Sequence, residues 1–140
     1  MPADERVLSV VRGWVEKAEN DLKNAVLALK AGEDCPTDTV AFHAQQCAEK
    51  YLKAYLAFKG IDFPKIHDIE ELIARTRGVA TGLLPGDCRA LTIYATVTRY
   101  PGDYEPISLA EARLAATLAR KVRGAVRKHL PKTVLKKRIR

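Results

Sequence analysis

The sequence predicts an all-α protein, an up-and-down four-helix bundle with one extra short helix. Three observations carry that expectation. Apolar residues recur at spacings of three and four along four long stretches, brief Gly- or Pro-containing connections separate those stretches, and no segment alternates as a half-buried strand would. The 140 residues suit one domain, and a composition low in aromatics and rich in Ala and Leu suits helix-on-helix packing.

The first helix is expected from about Asp4 to Lys30. Val7, Leu8, Val11, Trp14, Val15, Ala18, Leu22, Ala25, Val26 and Leu29 repeat at helical spacing and Gly32 ends the run. Asn20 and Asp21 fall in mid-helix, where short polar side chains compete with the backbone; either solvent or a tertiary hydrogen bond would satisfy them. Cys35-Pro36-Thr37 breaks the chain, and Thr37 or Asp38 is expected to cap the second helix, which ends at Gly60. Val40, Ala44, Cys47, Tyr51, Tyr55 and Phe58 form its core face, with Phe42 and Leu56 outside that face. Two large apolar side chains off the core face predict a homodimer built on this helix.

Asp68 with Glu71 reads as a capping box opening a short helix, Ile69 to Arg75. The stretch GVATGLLPGD is loop, and Asp87 caps a fourth long helix that Pro101 stops. Ser108 with Glu111 is a second capping box, starting a last helix to about Leu130, where Pro131 intervenes. The bundle is thus assigned to residues 1–130. Residues 131–140 form a basic tail with few apolar residues, expected to be solvated, disordered and dispensable for folding.

The net charge of +7 divides unevenly. Residues 120–140 hold ten Lys and Arg and no acid, so the rest of the chain, with fourteen Lys and Arg against seventeen acids, is slightly acidic. Such a basic end can bind phosphates without regard to sequence. Cys35, Cys47 and Cys88 are odd in number and lack metal-ligand spacing, so no metal, disulfide framework or cofactor is expected. No apolar run is long enough to span a bilayer, and the acidic start MPADERVLSV is unlike a secretory signal, so a cytoplasmic protein without a membrane partner is expected.

Two constellations are candidates for binding. His43, Gln46, Lys50 and Lys53 fall on one polar stripe of the second helix, where a His and two Lys can meet a phosphate or an acidic partner. The plain alternative is a solvated face with Glu49 and Lys53 as a pair one turn apart. Arg99-Tyr100-Pro101-Gly102-Asp103-Tyr104 is the other. Pro101 orients Arg99, and Tyr100 and Tyr104 can stack on a base or sugar; the alternative is a structural corner in which Asp103 pairs with Arg99. His67 stands before a helix start and His129 lies near the chain end. There is no Gly-rich phosphate loop, HExxH or nucleophile elbow, and no paired carboxylates on a strand to hold a magnesium ion.

The stretches Ala18-Glu19-Asn20-Asp21-Leu22, Phe42 through Tyr55 (FHAQQCAEKYLKAY), His67-Asp68 and Arg99-Tyr100-Pro101 together resemble the HEPN domain family, in an order that covers about residues 14 to 130. That resemblance implies a helical bundle, commonly homodimeric, associated with nucleotide or RNA and often paired with a minimal nucleotidyltransferase. Many members are metal-independent endoribonucleases, often toxins, that carry an Arg, four to six residues, then a His. This chain departs from that pattern, since Arg99 is followed by YPGDYE and no His within reach. Arg123 and His129 match numerically, but on a continuous helix six positions would turn them apart by about 240°. The resemblance with this departure implies a nucleotide- or RNA-binding module without catalytic activity of its own, acting with a separate nucleotidyltransferase in a toxin–antitoxin-like pair. Its rivals are a metal-independent endoribonuclease using Arg99 with His43 or His67 as base, and a structural interaction module.

Overall fold

We describe residues 4–76, 89–94 and 106–136 of a computed structural model. Among them every regular element is helical: α1 (Glu5–Leu29), a 3-10 turn (Gly32–Asp34), α2 (Thr37–Lys59), α3 (Ile69–Arg75), α4 (Arg89–Ile93), α5 (Leu109–Arg127) and α6 (Lys132–Leu135). The fold is an all-α bundle, as the hydrophobic periodicity predicts. The expected fourth long helix begins at Arg89; its continuation past Tyr94, and the loop before it with Asp87, lie outside the described residues.

Local chemistry explains the ends. Asp4 caps α1 by accepting from the Arg6 N–H at 2.7 Å. Asp68 does the same for α3 through Glu71 N–H, and Ser108 and Glu111 form a complete capping box on α5. Gly60 ends α2 in the left-handed region at φ 66°, which a side chain would resist, and the Ile61 N–H reaches back to Leu56 O at 2.9 Å. The cap of α2 differs from expectation. The capping position is Pro36, which contributes no side-chain bond, and Asp38 instead accepts from the Thr39 N–H.

Helix α2 is the centre of the bundle. It packs against α1 and α5 most extensively, and against α3 and α4 on other sides. Small residues on its partners (Ala18 and Ala25 of α1; Ala112, Ala115, Ala116 and Ala119 of α5) let the helices approach closely, while Tyr51, Leu52 and Leu56 fill the space between. Leu56, expected off the core, is fully buried because α2 is covered on nearly its whole circumference. It therefore supplies no surface to a second subunit. Phe42 stays half-buried, its ring edge-on to His43.

The chain does not leave the bundle at Pro131. Helix α6 folds back on α1, burying Val134 to 1% exposure, with Leu135 against the core and Arg12 donating to Thr133 O at 3.4 Å. The expected boundary between bundle and tail is displaced, at least to Lys136. One well-placed Val on a four-residue helix is enough to dock a segment whose charge alone suggests solvation.

Candidate functional site

The polar residues of α2 do not form one stripe. They divide between two networks, each organised by a carboxylate. The first begins at Asp21, in the middle of α1. Asp21 is 7% exposed, and its carboxylate accepts from Lys50 Nζ at 2.6 Å while facing His43 Nδ1 at 2.8 Å. This resolves the mid-helix Asp as a tertiary contact rather than a solvent-exposed one. A carboxylate on Nδ1 fixes the ring and favours the tautomer that leaves Nε2 to accept a proton.

Glu19, two positions earlier and about 160° around α1 from Asp21, gathers its own partners from α2 and α5. Arg123 grips it with both edges of the guanidinium, Nε to Oε2 at 2.8 Å and Nη2 to Oε1 at 2.9 Å. The buried Tyr51 hydroxyl donates to Glu19 Oε2 at 2.6 Å and accepts from Arg127 Nη1 at 3.2 Å. Burial works against a charged Glu19. The hydrogen bonds from Arg123 and Tyr51 and the field of Arg123 and Arg127 outweigh it and hold the carboxyl below its ordinary value. Burial first, then the bond to Glu19, pushes the Tyr51 phenol up, so it remains a donor. Arg123 is raised by its bond to Glu19.

Cys47 is buried within reach of the fields of both Glu19 and Asp21. Burial above all, then the two carboxylates, pushes its thiol up to about 12, which excludes a reactive thiolate. His43, Cys47, Lys50 and Tyr51 share one face of α2, so a single polar band crosses from α1 over α2 to α5. Arg127 is held less tightly than Arg123: it donates to the Tyr51 hydroxyl and approaches Glu19 only to 3.8 Å.

The second network is drier. Glu49, 3% exposed, receives Lys53 Nζ at 3.1 Å, Gln45 Nε2 at 3.0 Å and the His67 ring at 2.6 Å. Gln45 also reaches His67 O, Gln46 donates to Gln45 Oε1, and the Lys53 ammonium lies over the rings of Trp14 and Phe63. This arrangement clasps the α2–α3 connection onto α2. The alternative reading of Glu49 and Lys53 as a pair one turn apart holds, but the pair is buried rather than solvated.

The sequence-derived candidates therefore separate. His43 and Lys50 join the α1–α5 band, half-exposed, while Gln46, Lys53 and His67 belong to the clasp. Arg99, Tyr100, Asp103 and Tyr104 lie outside the described residues. Glu19, Tyr51, Arg123 and Arg127 were missed as a unit. The capacity of Tyr51 and Arg123 to meet Glu19 depends on how α1 and α5 sit against α2, and no spacing within one helix reveals it.

Helix α5 ends at Arg127, so His129 is not on a continuous helix with Arg123 as expected. Their contacts differ: Arg123 is committed to Glu19, and the His129 ring lies edge-on to Tyr55 with centroids 6.1 Å apart. Among the described residues no three His, Cys, Asp or Glu side chains converge as a metal site, and no helix is long and apolar enough to cross a membrane. A shallow apolar depression of about 210 Å³, lined by Arg6, Val7, Val10 and Ala57, shares no residue with either network.

Comparison with known proteins agrees with this architecture. A crystal structure of an archaeal HEPN homologue is similar, with a TM-score of 0.67 at 26% identity, covering 85% of this chain and 96% of the other. None of the curated proteins compared matches the sequence. The sequence model of the HEPN domain matches residues 11–129, which take in most of α1 and all of α2 and α5. The chain belongs to the HEPN domain family.

Proposed function

We propose that this chain is a non-catalytic HEPN module that binds a nucleotide or RNA and works beside a separate nucleotidyltransferase, as one half of a toxin–antitoxin-like pair. The observation that carries the reading is the fate of the arginines. Arg99 has no His within the spacing that the ribonuclease members use, and Arg123, whose spacing to His129 fits, is spent bidentately on Glu19. A guanidinium held bidentately by a carboxylate of its own chain must give up that pair before it can grip a phosphate. Binding is supported by the exposed cations that follow Glu111 among the described residues, Arg113, Arg120, Lys121, Lys128, Lys132 and Lys136.

A homodimer in the cytoplasm is part of the proposal. With Leu56 buried, the half-buried Phe42 and the exposed Val10 and Leu27 of α1 are the apolar side chains that association would cover. One arrangement favours the ribonuclease reading instead. The Asp21–His43 pair has the geometry of an oriented base, and a ribose hydroxyl beside Nε2 could lose its proton to it.

A single experiment separates the two. Labelled RNA is incubated with the full chain in EDTA, and binding and cleavage are read together. Bound, intact RNA is the expected result. Cleavage abolished by His43→Ala would establish the ribonuclease, and neither binding nor cleavage would leave a structural module. Co-purification with a co-expressed minimal nucleotidyltransferase tests the partner.

A further inference from the structure

We propose that the outward face of α5, continued by Lys132 and Lys136 around α6, is a track for the phosphate backbone of an RNA strand, gripped without regard to base sequence. The inference rests on the RNA-binding reading and names its surface. After Glu111 the sequence contains eleven Lys and Arg and no acid. Of the eight among the described residues, Arg123 and Arg127 turn inward to Glu19 and Tyr51. The other six, Arg113, Arg120, Lys121, Lys128, Lys132 and Lys136, are exposed, and none of them forms an ion pair with a described carboxylate.

Their placement is regular. Arg113 and Arg120 are seven residues apart, two turns and about 10.5 Å along the helix. Thr117 and Gly124 lie on the same line, with Lys121 and Lys128 along its flank. Thr117 turns its hydroxyl back to Arg113 O, so the floor between the cations is low. Gly124 lowers it further. A Cβ added there would meet nothing within 4 Å, and the positive-φ glycines are Gly32 and Gly60, so neither space nor backbone conformation calls for glycine at this position. A row of like charges and an interior glycine both weaken a helix, and the packing of α5 requires neither.

The chemistry of the face selects its occupant. The described part of the face carries no aromatic side chain, so it offers no stacking platform and reads phosphate rather than base. It offers one large exposed apolar residue, Leu114 at its edge, too little to anchor in a lipid surface or to form the dry centre of a protein interface. A polyanion with evenly spaced charges fits it best.

The test uses the full chain and a fluorescein-labelled oligouridine of about 20 nucleotides, followed by anisotropy from about 50 to about 200 mM KCl. Affinity should fall steeply with salt. Arg120→Glu and Gly124→Glu should each weaken binding about tenfold or more, and Arg120→Gln should reduce the salt slope by about 0.7. Ala74→Glu makes the same change of charge at an exposed position of α3, which packs on α2 and α4, and should bind within about twofold of wild type. Thermal melts confirm that each variant folds, and Arg120→Glu carries the test if Gly124→Glu does not. Wild-type binding that survives both glutamate substitutions unchanged would remove the track and leave the RNA reading intact. No binding by wild type at the lowest salt would remove that reading and this inference together. Flotation with phosphatidylserine vesicles, lost on Gly124→Glu, in a protein that ignores RNA would assign the face to a membrane and overturn it.

Discussion

Along the middle of α2 the cations are consumed inside the molecule, Lys50 by Asp21 of α1 and Lys53 by Glu49 one turn earlier, and only Lys59 in the last turn stays exposed. On α5 only Arg123 and Arg127 turn inward, toward Glu19 and Tyr51, while Arg113, Arg120, Lys121 and Lys128 stay exposed. Both helices present basic residues at helical spacing, so the pattern alone does not distinguish them. What distinguishes them is the supply of carboxylates. Helix α2 carries Glu49 and faces Asp21 of α1, which take Lys53 and Lys50. Of the cations, Glu19 of α1 takes only the inward Arg123 and Arg127 of α5, and α5 itself carries Glu111 near its start and no later acid. A basic stripe remains available to a partner only where the fold offers it no acid.

The sharpest way to break this comparison is Glu49→Ala. Lys53 has a side chain only 8% exposed, and it would be left inside without its counter-charge. Removing one partner of a buried pair costs about 3–5 kcal/mol, which for a domain of this size lowers the melting temperature by about 10 °C. On α5, Arg120→Ala should change stability by less than about 0.5 kcal/mol. Circular dichroism melts of the two variants compare the helices directly; similar losses would mean that α5's outward row also holds the fold.

Truncation after Leu130 should come next in size. Were the last residues a solvated tail, nothing would be lost. With Val134 buried against the bundle, removal should cost about 1.5–3 kcal/mol, read as a lower melting temperature in the same assay. An unchanged melt would return residues 131–140 to the tail that their composition suggests.

Much of the fold was legible. Helix α3 and the start of α5 were read to the residue, because a capping Asp or Ser followed three positions later by Glu is a local signal that the chain itself completes. The site was far less legible. Asp21, Glu19 and Arg123 lie up to 104 residues from the groups they bind, and their partners are chosen by helix packing. Leu56 and Val134 were misplaced for the same reason. A helical wheel assigns a residue to a face, but only the neighbouring helices decide whether that face is covered. Exposure likewise decided Lys53, which reads as a surface lysine until Trp14 and Phe63 close over it.

The α1–α5 band gives a smaller effect, because it is half open to solvent. Tyr51→Phe removes the hydroxyl that donates to Glu19 and accepts from Arg127. Glu19 keeps Arg123 and its side chain is 36% exposed, so the cost should lie near the low end of the range for charged hydrogen bonds, about 1.5 kcal/mol. The pH dependence has a definite sign. Glu19 is held below its ordinary value of 4.5, so its contribution is fully present above that pH and is lost as the pH falls through the folded value. Urea titrations from pH 6 downward should therefore show an acid-side loss that is smaller in Glu19→Gln. Equal losses in both proteins would assign acid sensitivity to other carboxylates.

The smallest effect sharpens the comparison most, because it has the opposite sign. Gly124 sits within α5 at helical φ, and an added Cβ meets open space. Glycine in a helix interior costs about 0.5–1 kcal/mol relative to alanine, through the entropy of the unfolded chain. Gly124→Ala should therefore raise stability by that amount and the melting temperature by about 2–4 °C. A gain would mean that the fold does not need the glycine, leaving the outward face as its remaining use, and would separate α5 from α2, whose interior contains no glycine at all. A loss would mean that Gly124 is required for packing. The low floor between Arg120 and Lys128 would then be a by-product of the bundle, and α5 would join α2 as a helix shaped from within.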